Sequence, residues 1–198
     1  MVPKYKIAIL VFHPLLHKSR VNRTLLGAVE GLRGVNCRYM YDLYPDFQID
    51  IKEEQKVLLE HDIIVWQHPL YWYSSPSLLK EWLDLVLEHG FAYGKAGQAL
   101  KGKQVMSAIS SGGRRETYGS PAGVRFSIRE LLAPFEQTVK LCRMEYLPPF
   151  VTNGTHLLDR EQIGQAAERY ARIITGLREG TFPVRELEKL EYINDIIT

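Results

Sequence analysis

The sequence has few of the features that mark several large classes of protein. It contains only two cysteines, Cys37 and Cys142, which lie far apart and outside any metal-binding spacing, so neither a disulfide framework nor a zinc site is predicted. Basic and acidic side chains nearly balance, 25 against 23, and a net charge of +2 gives nucleic acid no broad basic surface to bind. We therefore expect a reducing compartment and no nucleic-acid partner.

Long apolar runs, repeats and linkers are also missing. The apolar stretch at the start, residues 7–12, is followed directly by His13 and Pro14 and is too short for a signal peptide or a membrane span. No Gly/Ser-rich linker, low-complexity segment or internal repeat divides the 198 residues. We expect a cytoplasmic protein with a single domain over residues 1–180 and a charged, peripheral tail over residues 181–198.

Short β-rich runs alternate with longer stretches of helical period, which is typical of a parallel sheet with helices on both faces. Strands are predicted at residues 7–12, 38–43, 63–66, 105–110 and 145–151, the last at a sheet edge or ending early because it contains Pro148 and Pro149. Helices are predicted at residues 21–32, 51–60, 77–88, 128–142 and 159–177, the first with Ser19 as its N-cap. The predicted fold class is therefore α/β, with five parallel strands.

In such a sheet, ligands bind beyond the carboxyl ends of the strands, where the strand order reverses. After strand one, a polar loop runs from His13 into the helix start at residues 19–22, whose free N–H groups, with the Ser19 hydroxyl and the Asn22 amide, could hold one phosphate. Alternatively, Ser19 only caps the helix. His13 and His17 are separated by a proline and lack a companion carboxylate, so no metal site is predicted.

The loops after strands three and four are also unusual. Residues 71–73 are three adjacent aromatics between prolines, which favours a flat heteroaromatic ligand, a dimer contact or packing onto the next helix. After strand four, Gly112 and Gly113 allow a ligand to approach the backbone closely. Arg114 and Arg115 follow them, either to meet a phosphate or simply to be solvated.

Taken in order, these loops resemble those of the flavodoxin-like NAD(P)H:quinone oxidoreductases, where an H…S-x-x-N loop, a P-[LM]-x-W-[FY] loop and a TTGG loop follow strands one, three and four. Within that family the chain looks most like the ancillary proteins of glutathione-regulated potassium-efflux systems, on residues 42–51, 65–73, 78–84 and 147–150. The resemblance implies a flavodoxin-like three-layer fold, FMN with FAD as the alternative, NAD(P)H and a quinone as substrates, and a homodimer.

The resemblance also implies roles for individual residues. The implied cofactor-binding residues are His13, Ser19, Arg20, Val21 and Asn22 for the flavin phosphate, and Leu70, Tyr71, Trp72, Tyr73, Ser110, Ser111, Gly112 and Gly113 for the isoalloxazine ring. Tyr118 is the implied catalytic residue, which would stabilise charge on the reduced flavin together with the two glycine amides. The better-studied quinone reductases of this family also have a histidine six residues further on, where this chain has Val124.

Two functions follow from this resemblance. One is an NAD(P)H dehydrogenase (quinone) that passes a hydride from NAD(P)H to flavin to quinone by a ping-pong mechanism. The other, to which the missing histidine gives weight, is a regulatory subunit docked on a membrane potassium-efflux protein at the inner face, with flavin as a structural or redox-sensing group. An electron-carrier flavodoxin is disfavoured by the pI of about 8.5. A receiver domain is disfavoured because strand one lacks acidic metal ligands.

Overall fold

The apolar run near the start of the chain forms a central strand, buried on both faces. The computed structural model describes residues 3–187 and 189–197, so Met1, Val2, Glu188 and Thr198 of the predicted domain and tail lie outside it. The strands are β1 (Ile7–Val11), β2 (Val35–Tyr39), β3 (Ile63–Pro69), β4 (Gln104–Ser110), β5 (Glu145–Tyr146) and β6 (Phe150–Thr152). All pairings are parallel, in the order β2-β1-β3-β4-β5, with β6 also on β4. The α/β fold class is confirmed, and this strand order is that of the flavodoxin-like fold.

Helices cover both faces of the sheet, as predicted. They are α1 (Arg20–Gly27), α2 (Met40–Leu43), α3 (Ile51–Glu60), α4 (Ser77–Val86), α5 (Ile128–Leu131), α6 (Ala133–Leu141), α7 (Arg160–Glu179) and α8 (Val184–Leu187). One apolar core lies between the sheet and α2 to α6, and the other between the sheet, α1 and α7. Alternate residues of β1 point into the two cores. Within the described residues, no helix combines the length and apolar character needed to cross a membrane.

Two strand predictions are wrong in their boundaries. The strand expected at residues 38–43 ends at Tyr39, and the chain then turns into α2, which buries Met40. The strand expected at residues 145–151 is split into β5 and β6, because Pro148 and Pro149 have no N–H to donate to the ladder. Among the residues that the structure describes, both pieces pair with β4 alone, at the edge of the sheet where the two prolines were expected.

Two helix predictions also need correction. The first helix ends at Gly27 rather than at residue 32, and the chain that follows uses left-handed turns at Gly31 and Gly34 to enter β2. The helix expected at residues 128–142 breaks at Leu132 into α5 and α6. The reason is Pro134, which fits only in the first turn of a helix and therefore starts α6 there.

The tail is charged, but it is not peripheral. Leu187, Tyr192 and Ile193 are almost completely buried, and the first and last of these join the core beneath α1 and α7. Arg178, near the end of α7, donates to the carbonyl of Arg33 at 3.2 Å and so ties the same region to the start of β2. The sequence pattern misses this packing because the apolar residues are isolated among charged ones.

A fully buried glutamate joins three elements on the opposite face of the sheet. Glu54 of α3 forms an ion pair with Arg38 of β2, and it accepts hydrogen bonds from the Tyr44 hydroxyl at 2.7 Å and from the Trp82 indole N–H at 3.0 Å. Burial and the neighbouring carboxylate raise the pKa of Tyr44, which stays protonated as a donor. These partners offset the cost of burying the charge and fix α3 and α4 against β2.

Candidate functional site

A cleft of about 520 Å³ opens at the carboxyl ends of β1, β3 and β4, on the side where the strand order reverses. The predicted site residues that line it are His13, Ser19, Arg20, Val21, Asn22, Leu70, Tyr71, Ser110 and Gly112. The structure therefore brings all three predicted loops together. The other predicted site residues do not line the cleft but adjoin it in the same loops: Trp72, Tyr73, Ser111, Gly113 and Tyr118. We call the part formed by His13 and residues 19–22 the phosphate end, and the part formed by residues 70–71, Ser110 and Gly112, together with these adjoining residues, the ring end.

The start of α1 supplies unpaired donors at the phosphate end. Ser19 is the N-cap, and its Oγ accepts from the Asn22 N–H at 3.2 Å and from Asn22 Nδ2 at 3.1 Å. Because the oxygen accepts twice, its own hydrogen is left to donate into the cleft. The N–H groups of Arg20 and Val21 lie in the first turn, where a helix offers no internal acceptor. This set of donors, at the positive end of the helix dipole, suits a phosphate.

A network of buried side chains supports the phosphate end from below. Asn22, which is 2% exposed, donates to Ser110 Oγ at 2.9 Å and accepts from Gln67 Nε2 at 3.3 Å. Gln67 Oε1 in turn accepts from the Tyr170 hydroxyl at 3.0 Å. The chain of bonds joins α1, β3, β4 and α7. Both amide hydrogens of Asn22 are used inside the protein, so its side chain acts on a ligand through Ser19 and Ser110.

His13 is half-buried and lines the cleft. Burial lowers the pKa of His13 below its ordinary value, a hydrogen bond with its own backbone opposes this shift, and the nearby His17 lowers the pKa further. Its Nδ1 accepts from the Leu15 N–H at 3.2 Å, which places the ring hydrogen on Nε2, where it can serve as a donor. The ring also lies edge-on to Tyr71, with centroids 6.3 Å apart, and so connects the two ends of the cleft.

The aromatic loop reaches out of the cleft instead of only lining it. Trp72 and Tyr73 have φ angles of 49° and 61°, and the Ser74 N–H closes the turn by donating to the Tyr71 carbonyl at 2.9 Å. Left-handed backbone costs a residue with a side chain about 1–2 kcal/mol. Trp72 is nonetheless 91% exposed. Strain and exposure in adjacent large aromatics are typical of a surface that binds something.

The glycine loop forms the other wall of the ring end. Ser111 is buried, and its Oγ donates to the Gly113 carbonyl at 3.1 Å. A Cβ added at Gly113 would lie 3.0 Å from the Tyr118 hydroxyl oxygen, so any larger residue at this position would require the Tyr118 ring to shift. The N–H groups of Gly112 and Gly113 donate to no acceptor within the described residues. This loop therefore presents bare backbone donors and one phenol, a donor set that fits the polar edge of a flat heteroaromatic ring.

Two residues that line the cleft lie outside the three loops considered in the sequence analysis. Thr155 and His156 follow β6, and the Thr155 N–H donates to the Ser111 carbonyl at 3.0 Å. This places His156 so close that a Cβ added at Gly112 would lie 3.2 Å from its ring. Val124, where family members have a histidine, forms a bridge with Tyr118 instead. The signal in the sequence was the Asn-Gly turn after the last strand, in a loop that the strand-order argument did not cover.

Comparison with known proteins agrees with this geometry. A family model described as a flavodoxin-like fold matches residues 5–174. The ancillary protein KefF of the glutathione-regulated potassium-efflux system of Enterobacter sp. is 40% identical over 87% of this chain and 97% of its own length. A crystal structure of the general stress protein 14 of Treponema denticola in complex with FMN superposes with a TM-score of 0.82, at 38% identity over 87% of this chain and 99% of that one. A structure of an NADPH-quinone reductase from P. pentosaceus gives 0.73, at 30% identity over 84% and 96%.

Proposed function

Because the chain belongs to the flavodoxin-like NAD(P)H:quinone oxidoreductase family, we propose that it is an FMN-dependent NAD(P)H dehydrogenase (quinone), with FAD as the alternative flavin. We propose further that residues 1–180 form its flavin-binding domain. The observation that supports this most is the joining, in one cleft, of a capped helix start with unpaired donors and a bare glycine loop beneath a phenol. FMN is favoured over FAD because the Treponema relative was crystallised with it.

At the phosphate end, the Ser19 hydroxyl and the N–H groups of Arg20 and Val21 would bind the flavin phosphate, with His13 donating through Nε2. Asn22 would hold Ser19 and Ser110 in place from below. Helix dipole and charge-assisted hydrogen bonds both favour a dianion at this position.

When bound, the flavin supplies two-electron chemistry, taking a hydride from a nicotinamide nucleotide and passing the electrons to a quinone. At the ring end, the Gly112 and Gly113 N–H groups and the Tyr118 hydroxyl would donate to the polar edge of the ring and stabilise negative charge there. Leu70 and Tyr71, which line the cleft, would cover a face of the ring system. NAD(P)H and quinone would occupy one exposed cleft in turn, which gives ping-pong kinetics.

A second function is supported by the likeness to KefF, namely a regulatory subunit that docks on a membrane potassium-efflux protein. The exposed, strained turn at Trp72 and Tyr73 offers a surface for such a partner or for a second copy of this chain in a homodimer. Turnover too slow to matter, together with recovery of a membrane transport protein bound to the chain, would favour this function over a free-standing enzyme.

The first experiment is an absorption spectrum of the purified protein, followed by heat release and chromatography of the bound compound and anaerobic titration with NADPH. We expect bound FMN, loss of its colour with NADPH, and recovery on adding a quinone. A colourless protein that neither FMN nor FAD can reconstitute would overturn the proposal.

The assignment of Tyr118 has a separate test. Tyr118→Phe keeps the ring above Gly113 and removes only the hydroxyl, so we expect kcat to fall about 10–100-fold with little change in FMN affinity. Tyr5→Phe, far from the cleft, is the matched control. An unchanged kcat in Tyr118→Phe would show that the hydroxyl has no catalytic role.

A further inference from the structure

The C-terminal segment is attached to the edge of the sheet beside the cleft. Asn194 pairs with the backbone of Val151 in β6, accepting from its N–H at 2.8 Å and donating to its carbonyl at 3.0 Å. The Ile193 N–H donates to the Pro149 carbonyl at 3.0 Å. Tyr192 and Ile193 are buried. This segment lies beyond residues 5–174, which the family model matches.

Once attached, the segment surrounds one arginine of the loop after β4. Arg115 donates through both terminal nitrogens to the Asp195 carboxylate, at 2.9 and 2.8 Å, and to Glu191 at 3.2 Å. Its guanidinium carbon lies 4.4 Å from the centroid of the Tyr192 ring. The hydrogen bonds from Arg115 lower the pKa of Asp195, so the carboxylate is charged throughout the neutral range. Three tail residues thus converge on a single side chain.

Arg115 begins the short 3-10 turn Arg115–Thr117, which leads directly to the predicted catalytic tyrosine. The Thr117 N–H donates to the Arg114 carbonyl at 3.0 Å, and the Tyr118 N–H donates to the Arg115 carbonyl at 3.2 Å. Beyond the turn, the Tyr118 ring covers Gly113. We propose that Arg115 is a positioning residue, held by Glu191, Tyr192 and Asp195 of the tail, that sets Tyr118 over the glycine loop. The part of this proposal that concerns turnover rests on the proposed function.

The strength of this attachment comes from the number of its contacts. Arg115 is about half exposed, and a single exposed ion pair contributes little. The Arg115 guanidinium is bound bidentately by one carboxylate, contacts a second and stacks on a phenol, so three side chains restrain it together. We expect loss of both carboxylate charges to increase the equilibrium constant for local opening of the Arg115–Thr117 turn about tenfold.

The test compares the full chain with its Asp195→Asn/Glu191→Gln double variant. We expect the Thr117 and Tyr118 amides to exchange hydrogen about tenfold faster in the double variant, while exchange in β4 is unchanged. We also expect kcat to fall severalfold and the Kd for FMN to stay the same, since the phosphate end is untouched. Asp84→Asn, which breaks the exposed Lys80–Asp84 pair on α4, is the matched control. Arg115→Lys keeps the positive charge but lacks the paired N–H donors of the guanidinium. Its amide exchange rates and kcat should therefore lie between those of the wild type and the double variant.

Two results would overturn the proposal. Unchanged exchange at Thr117 and Tyr118 would show that the tail does not hold the turn, and faster exchange with unchanged kcat would show that the turn does not position Tyr118. If the double variant does not fold, Asp195→Asn alone gives the same comparison. A wild-type protein without quinone reductase activity would refute the proposed function, whereas the exchange measurement would still decide whether the tail holds the turn.

Discussion

The two ends of the cleft are held in different ways. At the phosphate end, Asn22, Gln67 and Tyr170 form a continuous hydrogen-bonded network in which every member is buried. At the ring end, Trp72 is almost fully exposed and Tyr118 follows a turn held by surface ion pairs. Buried side-chain networks fix a geometry, whereas exposed backbone turns open at lower free energy.

The difference matches the demands of the proposed reaction. A resident cofactor needs one permanent point of attachment, which the phosphate end provides. NAD(P)H and quinone must enter and leave in turn, and this exchange requires an accessible ring end. Changes at the phosphate end should therefore affect folding and cofactor binding together, while changes at the ring end should affect turnover.

The largest effect is expected at Asn22, in the buried network beneath the phosphate end. Asn22→Ala removes the buried donor to Ser110 Oγ and one of the two acceptors of Gln67 Nε2, which keeps its bond to the main-chain carbonyl of residue 22, so we expect the free energy of unfolding to fall by about 3 kcal/mol. We also expect the Kd for FMN to rise about 100-fold, because Ser19 is no longer oriented. Urea unfolding and fluorescence titration measure the two effects. Asn36→Ala, at an exposed position of β2, is the control. If Asn22→Ala lost FMN binding without losing stability, the buried network would not be what stabilises this part of the fold.

A second test uses the strand that joins the two ends. His68 in β3 is fully buried, and its Nε2 has no partner within the described residues. Burial lowers the pKa of His68 to about 4. The unfolded chain therefore binds a proton that the folded chain excludes, and stability is lost as the pH falls below the unfolded pKa of about 6.5. We expect a loss of about 2 kcal/mol between pH 7 and pH 5.

His68→Phe should remove most of this acid sensitivity, because the phenyl ring has no proton to bind and would pack beside Phe135, whose ring already lies 5.9 Å from His68. Unfolding in urea at several pH values is the measurement, with His89→Gln as the exposed control. If the free energy of unfolding of His68→Phe falls as steeply with decreasing pH as that of the wild type, exclusion of a proton from His68 is not the cause of the acid sensitivity.

The helix start at the phosphate end could be predicted from sequence because its signals are local. An N-cap serine three residues before an asparagine, directly after an apolar strand, marks a helix start whatever surrounds it. The apolar run of β1 and the prolines at residues 148–149 likewise identify a central and an edge strand. The network from Asn22 to Tyr170 could not be predicted, since its members lie up to about 150 residues apart and meet only through the fold.

At the ring end, the arrangement of the predicted residues could not be read from the sequence. Trp72 has a positive φ angle and is 91% exposed, and backbone conformation of non-glycine residues has no signal in composition. His156 and the tail were missed because each reaches the site from a distant part of the chain through backbone contacts. Why the chain retains large aromatics in a strained turn follows from no local rule.

The ring end should respond to change with turnover rather than stability. A Cβ at Gly113 would lie 3.0 Å from the Tyr118 ring, which must then shift. We expect Gly113→Ala to lower kcat about tenfold, with the free energy of unfolding changed by less than about 1 kcal/mol. Steady-state kinetics and urea unfolding measure these. Gly164→Ala in α7 is the matched control. A Cβ added there meets no atom within 4 Å, so kcat should be unchanged. If Gly113→Ala and Gly164→Ala have the same kcat, the position of Tyr118 over the glycine loop does not affect turnover.

The smallest effect tests whether the ring end stores backbone strain. Asparagine tolerates left-handed backbone better than tryptophan, and Trp72 is so exposed that little packing would be lost. We therefore expect Trp72→Asn to raise the free energy of unfolding by about 0.5–1 kcal/mol while leaving the Kd for FMN within about twofold. Leu157→Asn, at an exposed residue without positive φ, should show no such gain. If Trp72→Asn is more stable but reduces quinone more slowly, the strained turn is maintained for the exchange of substrates. If the variant is no more stable than the wild type, packing explains the conformation of the turn and the turn stores no strain.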